Sequence, residues 1–270
     1  MSLVYGGDVV VYARDAALLR TGEWLNDTCI NLGFKRAELE LLCGAHGEAA
    51  VLFVDPAVLA CLMLQCEDDD EVLDMDGALR LAARRRVLFA VNNACGSFND
   101  VCTHWSLLEL RLGEVRPDDG AAATAAVGPR RAASFHAYDS CGASNARTAC
   151  AVAAQVTRLL RLTGVLPAGA PRPPLITEPA PQQRNGSDCG VYALLLAERL
   201  ARQFLLGGSG GSSGRQQQQR QQAATALVVS TTADDWPALA AAMRDQLLSL
   251  VQPLLPKDTA DRVTTEAGSQ

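Results

Sequence analysis

The chain has 270 residues, of which 49% are hydrophobic and 20% charged, so its composition supports a sizeable core in one large domain or two small ones. The formal net charge is −6 and the only short basic run is Arg84–Arg86, which precedes a strand-like segment, so the charge pattern argues against a nucleic-acid-binding protein. The sequence contains no apolar run long enough to span a bilayer and no secretion signal, so we expect an intracellular protein of the cytoplasm or nucleus with no membrane partner.

The cysteine and histidine content predicts neither a disulfide framework nor a metal site. The chain has 9 Cys, an odd number, and no C-x-x-C pair, which is typical of a reducing compartment. None of the three histidines, His46, His104 and His136, stands with a nearby Cys at zinc-finger spacing. We therefore expect no bound metal and no cofactor, and nothing in the sequence suggests more than a monomer.

The N-terminal third is predicted to consist of short elements. They are an apolar alternation with a helical turn in residues 1–20, a helix from Thr28 to about Leu42, an extended piece at Val51–Val54 and a helix at Ala57–Cys66. Asn26 or Asp27 can cap the first long helix through a side-chain oxygen. The acidic run Glu67–Glu71 is predicted to be a solvated loop.

Strands are predicted in the middle of the chain. Arg86–Asn92 is a continuous apolar run that is typical of a central strand. His104–Leu112 alternates, and its Glu109 and Arg111 are expected on a wet face. Ser134–Asp139 is a shorter strand with Phe135 and either His136 or Tyr138 turned inward.

The C-terminal half returns to helices. Ala146–Leu162 has helical periodicity, a Pro-rich extended segment follows, and Trp236–Val251 is a last amphipathic helix. Residues 207–226 are a low-complexity stretch expected to be a flexible insertion, and 257–270 a loose tail. Helices, then strands, then helices indicate an α+β fold with a mainly antiparallel sheet, in a single domain spanning 1–270.

The stretch Q-Q-R-N-G-S-D-C-G-V-Y, from Gln182 to Tyr192, joins a polar turn to an apolar, helix-forming run. Ser187 and Asp188 are good N-cap residues, so we expect a buried helix to begin there with Cys189 in its first turn. The partial positive charge of a helix N-terminus favours the thiolate form of such a cysteine, and thiolate is the nucleophile. The alternative is a small buried cysteine that packs beside a turn.

A thiol nucleophile needs a histidine to share its proton and a third group to orient that histidine. His104 opens one predicted strand and Asp139 closes the next, so antiparallel pairing would make them neighbours at one sheet edge. His136 in mid-strand and His46 in a glycine-containing loop are the other histidines, and Asp139 could instead form an Asx turn. Gln183 could donate its amide to an oxyanion, although a glutamine in a Pro-rich loop is more often solvated.

Four segments, in this chain order, resemble motifs of the Ulp/sentrin-specific family of cysteine proteases, which cleave ubiquitin-like modifiers. They are W-L-N-D at Trp24 to Asp27, T-H-W-S-L-L at Thr103 to Leu108, Y-D-S with a following S-N at Tyr138 to Asn145, and Q-x-N-G-S-D-C-G at Gln183 to Gly190. The resemblance covers most of residues 5–206 and, loosely, the last helix.

The resemblance implies a papain-like α+β fold of the Ulp type and a role for each matched residue. Cys189 would be the nucleophile, His104 the general base and acid, Asp139 the residue that orients it, and Gln183 the oxyanion donor. Substrate-binding roles are implied for Trp24 and Trp105, as walls of a narrow tunnel that admits only a Gly-Gly tail, and for Asp27 beside that tail. Core packing is the alternative for both tryptophans.

Within the family, T-H-W-S-L-L and the preceding R-V-L-F-A-V-N resemble the deneddylase branch most. The implied partner is a neddylation (Rub-type) modifier with its conjugates, cleaved after Gly-Gly during precursor maturation and release from lysine. The alternatives are a SUMO protease of the same family, an acyltransferase with a related Cys-His-acid set, and a catalytically silent modifier-binding module.

Overall fold

The computed structural model describes residues 2–42, 50–96, 103–113, 131–207 and 235–254. The strands are β1 (Ser2–Tyr5), β2 (Val9–Tyr12), β3 (Val51–Val54), β4 (Arg86–Asn92), β5 (Trp105–Leu112), β6 (Ala133–Tyr138) and β7 (Leu175–Thr177). The helices are α1 (Ala13–Thr21), α2 (Asp27–Leu41), α3 (Pro56–Leu64), α4 (Asp69–Asp74), α5 (Asp76–Leu79), α6 (Ala146–Leu162), α7 (Cys189–Gly207) and α8 (Trp236–Val251). The predicted tail, His46 and all but the first residue of the predicted insertion lie outside the described residues.

A five-stranded sheet in the order β3-β4-β5-β6-β7 forms the centre of the fold, and β1 and β2 form a separate hairpin. The three central strands pair antiparallel, as the alternating pattern predicts. Both edge strands pair parallel with their neighbours, so the sheet is mixed. The sequence pattern does not predict β7, because the three residues of this strand lie within a Pro-rich segment.

Helices cover both faces of the sheet and give it two apolar cores. One core joins α6 and α3 to the face that carries Leu108 and Leu110 of β5. The other joins α2, α7 and α8 to the opposite face, which carries Trp105 and Leu107. Because side chains alternate along a strand, one strand supplies both cores. The buried helix α7 therefore lies directly on β5.

The expected wet face of β5 is wrong for Glu109, which is only 2% exposed. Arg86 Nε lies 3.1 Å from one carboxylate oxygen of Glu109, and Arg111 Nη2 lies 2.8 Å from the other. The Arg86 guanidinium also stacks on the ring of Phe204 in α7, 4.8 Å from its centre. Helix α7 thus covers this end of the strand, and the two arginines compensate the buried carboxylate.

The acidic run expected to be a solvated loop instead begins a helix. Asp68 caps α4, since its carboxylate accepts from the Glu71 amide at 2.9 Å, and Glu71 accepts from the Asp68 amide at 3.4 Å. This reciprocal capping box satisfies amide groups that have no partner within the helix. Among the residues described, no helix combines the length and apolar character needed to cross a bilayer.

Candidate active site

Helix α7 starts at Cys189, at the end of the loop that the sequence marks as its N-terminal turn. Asn185 Oδ1 accepts hydrogen bonds from the amides of Ser187 at 3.2 Å and Asp188 at 3.0 Å, which closes an Asx turn. The Asp188 carbonyl then accepts the first helical bond, from the Tyr192 amide at 2.9 Å. The thiol is placed at the first residue of the helix, and Cys189 is only 1% exposed.

Gly190, the residue after the cysteine, lies where any side chain would be tightly packed, because its neighbours would have to shift by a few tenths of an ångström to admit a Cβ. A Cβ at this position would lie 3.0 Å from Ile30 Cδ1 and 3.3 Å from both Leu25 Cβ and Trp105 Cδ1. The start of α7 is therefore pressed against the beginning of α2 and the beginning of β5. This contact fixes the position of Cys189 relative to the sheet edge.

His104 is the residue immediately before β5, and Asn93 holds its backbone. Asn93 Oδ1 accepts from the His104 amide at 3.1 Å, and the His104 carbonyl accepts from the Asn93 amide at 3.1 Å. Asn93 follows β4, which pairs antiparallel with β5. The end of one central strand thus anchors the histidine at the start of the next.

Asp139 immediately follows β6 and meets His104 as the strand pairing predicts. Its Oδ1 lies 2.7 Å from His104 Nε2 and accepts from the Cys141 amide at 2.9 Å. Its Oδ2 accepts from the Asn145 amide at 2.9 Å. Both oxygens accept hydrogen bonds, two at Oδ1 and one at Oδ2, which hold the carboxylate in place.

The electrostatics of the pair favour a charged imidazole. Burial alone would lower the pKa of His104, but the hydrogen bonds with Asp139 and Cys189 outweigh burial and raise that pKa to about 10. Burial would raise the pKa of Asp139, but donation from His104 and from two backbone amides lowers it. Since Nε2 of His104 faces Asp139, Nδ1 is the nitrogen left for the thiol of Cys189. The structure therefore brings Cys189, His104 and Asp139 together.

The competing histidine, His136, does not belong to this group. It lies in the middle of β6, where Nδ1 is 2.7 Å from Glu178 Oε1 and Nε2 is 3.0 Å from Ser134 Oγ. Burial and the nearby Arg111 guanidinium lower the pKa of His136. It is a packed histidine with partners on both ring nitrogens.

Gln183 lies beside the triad, tied to the turn that follows Asp139. Its backbone amide donates to the Ser140 carbonyl at 2.9 Å, and its Oε1 accepts from Ser140 Oγ at 2.8 Å. One amide hydrogen goes to the Asn185 carbonyl at 2.8 Å. Gln183 and His104 line the same cavity. Its oxyanion role stays a prediction.

The two tryptophans occupy different environments. Trp24 is 48% exposed, and its indole nitrogen donates to the Gly186 carbonyl in the loop before Cys189. Trp105 is 1% exposed and donates to the Leu25 carbonyl at 2.8 Å, so in this state it packs in the core. Only Trp24 offers surface to a substrate here. A tunnel wall formed by Trp105 stays a prediction.

Asp27, the first residue of α2, is exposed three positions after Trp24. Its carboxyl group is nonetheless partly desolvated, and that desolvation together with the Asp55 carboxylate raises the pKa of Asp27. Its contact with a substrate tail stays a prediction.

Asn93 and Asn145 are positioning residues to which the sequence pattern assigned no role. Asn145 Nδ2 donates to the Val91 carbonyl at 2.8 Å and to Ser106 Oγ at 3.0 Å, which ties the turn after Asp139 to β4 and β5. The only signal was the S-N pair that ends the aspartate motif. The sequence contained no signal for the role of Asn93, because an asparagine after a strand is common in loops.

Comparison with known proteins finds a matching family and named relatives. Residues 23–209 match the sequence profile described as the Ulp1 protease family, C-terminal catalytic domain. A Dictyostelium discoideum protein named probable sentrin-specific protease 8 is 26% identical over 207 residues, which cover 74% of this chain and 75% of that protein. The Homo sapiens protein named sentrin-specific protease 8 is 28% identical over 204 residues, covering 73% and 80% respectively.

Solved structures share the fold at low sequence identity. A structure described as a de-sumoylating protease is similar with a TM-score of 0.58 at 15% identity, and the alignment covers 94% of each chain. The C-terminal Ulp1 protease domain in complex with SMT3, the yeast ortholog of SUMO, gives a TM-score of 0.54 at 13% identity, covering 92% of this chain and 87% of that one. These likenesses concern the arrangement of helices and strands.

Proposed function

Because the chain belongs to the Ulp1 protease family, we propose that it cleaves after the C-terminal Gly-Gly of a neddylation (Rub-type) ubiquitin-like modifier. The protein is a cysteine protease of a family that acts on ubiquitin-like proteins. The proposal adds the identity of the modifier and two reactions, maturation of its precursor and its release from lysine side chains. Both reactions break an amide bond to the same terminal glycine.

In the first half of the reaction, the proton of the Cys189 thiol passes to His104, and the sulfur attacks the carbonyl carbon of that glycine as the thiolate and forms a C–S bond. His104 carries a proton at neutral pH, because its pKa is about 10, and donates it to the leaving amine as the C–N bond breaks. Asp139, 2.7 Å from Nε2, keeps the imidazole oriented while its charge changes. The product of this half is a thioester.

In the second half, the neutral His104 takes a proton from a water molecule whose oxygen attacks the thioester carbon. The C–S bond breaks, the thiolate of Cys189 leaves, and the modifier departs with a free carboxyl terminus. The negative oxygen formed in each half needs a donor, and the side-chain amide of Gln183 supplies it. Neither half requires a metal or a cofactor.

Selection of a Gly-Gly tail follows from the crowding around the nucleophile. Trp24 is held over the loop before Cys189 by its bond to the Gly186 carbonyl, so its ring occupies space beside the scissile bond. A residue with a Cβ at the last two substrate positions would meet this ring or the opposite wall. Trp105 would complete that wall once a tail is bound, and Asp27 would accept hydrogen bonds from the tail backbone.

The observation that carries the choice of modifier is the pair of segments around His104. R-V-L-F-A-V-N is β4, T-H-W-S-L-L enters β5, and the two strands pair with Asn92 opposite Trp105. Together they form the sheet edge that holds the histidine, and they resemble the deneddylase branch. A SUMO-type modifier is the second candidate, since a structure of similar fold holds SMT3, the yeast ortholog of SUMO.

A competition between activity-based probes tests the proposal. Vinyl-sulfone probes of a Rub-type modifier, SUMO and ubiquitin are offered to the protein, and the Rub-type probe should label Cys189 fastest. Faster labelling by the SUMO probe would replace the proposed modifier with the second candidate. Absence of labelling by all three probes, with modifier binding retained, would favour a silent binding module.

Two variants control the labelled position. Cys189→Ala should abolish labelling, because it removes the attacking sulfur. Cys141→Ser should leave labelling unchanged, since Cys141 is an exposed thiol that lines the same cavity but has no imidazole partner in the proposed mechanism.

A further inference from the structure

Arg244 of α8 is a buried charge near the active site that the mechanism above does not use. It is 8% exposed, although most arginines lie at the surface. It also lies outside residues 23–209, the part that matches the family. A charge so buried requires partners, and those partners lie in the segment before Trp24 and in the segment before Cys189.

The first partner is Asp188, the residue before the nucleophile. Arg244 Nε lies 2.8 Å and Nη2 lies 2.7 Å from Asp188 Oδ1. The other oxygen of Asp188 accepts from Asn185 Nδ2 at 2.7 Å. The carboxylate is therefore held between the last helix and the Asx turn that positions Cys189.

The second set of partners is backbone carbonyls of the segment that leads to Trp24. Arg244 Nη2 donates to the Glu23 carbonyl at 2.9 Å, and Nη1 donates to the Leu18 carbonyl at 3.2 Å. Nη2 also lies 3.4 Å from the Ser187 carbonyl. One guanidinium thus joins the residue before Trp24 to the residues before Cys189.

Only an arginine can make all these contacts, because its planar fork presents five N–H donors in fixed directions. A lysine could keep the ion pair with Asp188, but its single nitrogen could not also reach carbonyls on opposite sides. The bonds to the Glu23 and Leu18 carbonyls satisfy N–H groups of the buried guanidinium and, in doing so, tie the segment before Trp24 to the last helix.

We propose that Arg244 is a positioning residue that sets the Trp24 indole relative to the Cys189 thiol and so controls how tightly the substrate tail is gripped. The contacts with the carbonyls place Trp24, and the contact with Asp188 places the nucleophile turn. This proposal rests on the cysteine protease activity of the family and on the substrate-binding role proposed for Trp24, and not on the choice of modifier.

Enzyme kinetics can separate the contacts of Arg244 with the Glu23 and Leu18 carbonyls from its contact with Asp188. The substrate is the coumarin amide of the modifier whose probe labels the protein fastest. Arg244→Lys should raise KM about tenfold and change kcat about twofold or less, because tail binding is loosened while the nucleophile turn stays paired. The alkylation rate of Cys189 by iodoacetamide should stay close to that of the wild type.

A double-mutant cycle with Trp24→Ala provides the readout that a merely structural role would not move. If Arg244 acts through Trp24, Arg244→Lys should have little further effect on KM once the indole is absent. Independent, multiplicative effects on KM would overturn the proposal, as would a lowered melting temperature with unchanged KM. Arg202→Lys is the matched control, since Arg202 is an exposed arginine paired with Glu198, and it should leave both constants unchanged.

If Arg244→Lys proves too unstable to assay, Asp188→Asn tests the proposal by changing the partner of Arg244 instead of Arg244 itself. This change keeps the bonds from Arg244 to the Glu23 and Leu18 carbonyls and removes the charge beside the nucleophile turn. It should lower kcat and leave KM close to the wild-type value. A tenfold rise in KM without a fall in kcat would contradict the assignment.

Discussion

Two histidines in this protein pair with carboxylates at the same distance, yet their pKa values move in opposite directions. His104 Nε2 and His136 Nδ1 each lie 2.7 Å from a carboxylate oxygen. The pKa of His104 rises to about 10 because Cys189 adds a second hydrogen bond to that with Asp139. The pKa of His136 falls because burial and the Arg111 charge outweigh Glu178. The surroundings of each pair, not its geometry, decide which imidazole is charged.

The pH profile of catalysis follows from the raised pKa of His104. Protonation of the leaving amine needs the charged imidazole, so kcat/KM should fall as pH rises through about 10, the pKa of His104. Asp139→Asn removes a negative charge that raises the pKa, so the alkaline limb should move to lower pH, with a loss of rate on the order of a hundredfold or more. The pH dependence of kcat/KM for both proteins measures the shift.

Glu178→Gln is the control for that experiment, because it breaks the other histidine–carboxylate pair. Its alkaline limb should coincide with that of the wild type. An unmoved limb in Asp139→Asn would show that another group, and not His104, titrates there.

The sequence predicted the neighbourhood of His104 and Asp139 because one residue starts a strand and the other ends the next. Strand pairing converts those positions into spatial proximity without further information. The burial of Glu109 could not be predicted in the same way, because alternation places a residue on a face but does not say what covers that face. The contacts of Arg244 could not be predicted from the sequence either, since its partners are up to 226 positions away along the chain.

At the scale of elements, α2 and α7 approach closely where a glycine faces a leucine. A Cβ at Gly33 would lie 2.6 Å from Leu194 Cδ1 and 2.7 Å from Cδ2. Gly33→Ala gains helix propensity but overpacks a buried side chain, so it should cost about 1–2 kcal/mol of unfolding free energy. Chemical denaturation measures this cost.

A variant of Leu194 tests whether contact with this side chain causes the cost of Gly33→Ala. Leu194→Ala alone should destabilise the protein by about 2–5 kcal/mol through the cavity it leaves, but it should remove most of the cost of Gly33→Ala. Gly77→Ala in α5 is the control, because a Cβ there meets nothing within 4 Å. Additive costs at 33 and 194 would contradict the proposed contact.

The sequence pattern predicts some helices and strands accurately and fails to predict others. The bounds of β4 and α6 match the predicted ranges, because each is a long run with a single period. Helix α4 was missed because acidic composition hides a capping box, and β7 because proline surrounds it. The short strand β3 was nevertheless predicted with its observed bounds, Val51–Val54, whereas β7 depends on pairing with β6, which a local pattern does not identify.

At the scale of the whole molecule, the part that matches the family is not the whole of the folded core. The match ends at 209, but α8 buries Trp236, Ala240, Met243, Leu247 and Val251 in the same cluster as Cys189. Trp236 stacks on Tyr192 of α7 with ring centres 5.4 Å apart. Helix α8 also reaches α2, since Met243 Sδ lies 3.4 Å from Arg36 Nη2.

A chain ending at residue 207 should therefore fail to fold cooperatively. Each large apolar side chain that α8 buries contributes roughly 1.5–3 kcal/mol, and their sum is comparable to the whole stability of a typical domain, about 5–15 kcal/mol. We expect loss of the cooperative thermal transition, binding of a hydrophobic dye and no probe labelling at Cys189. A chain ending at residue 256 keeps α8 and should match the full protein in all three measurements. If the shorter chain instead melted cooperatively and reacted normally, α8 would be an accessory, and Arg244 could not set the position of Trp24.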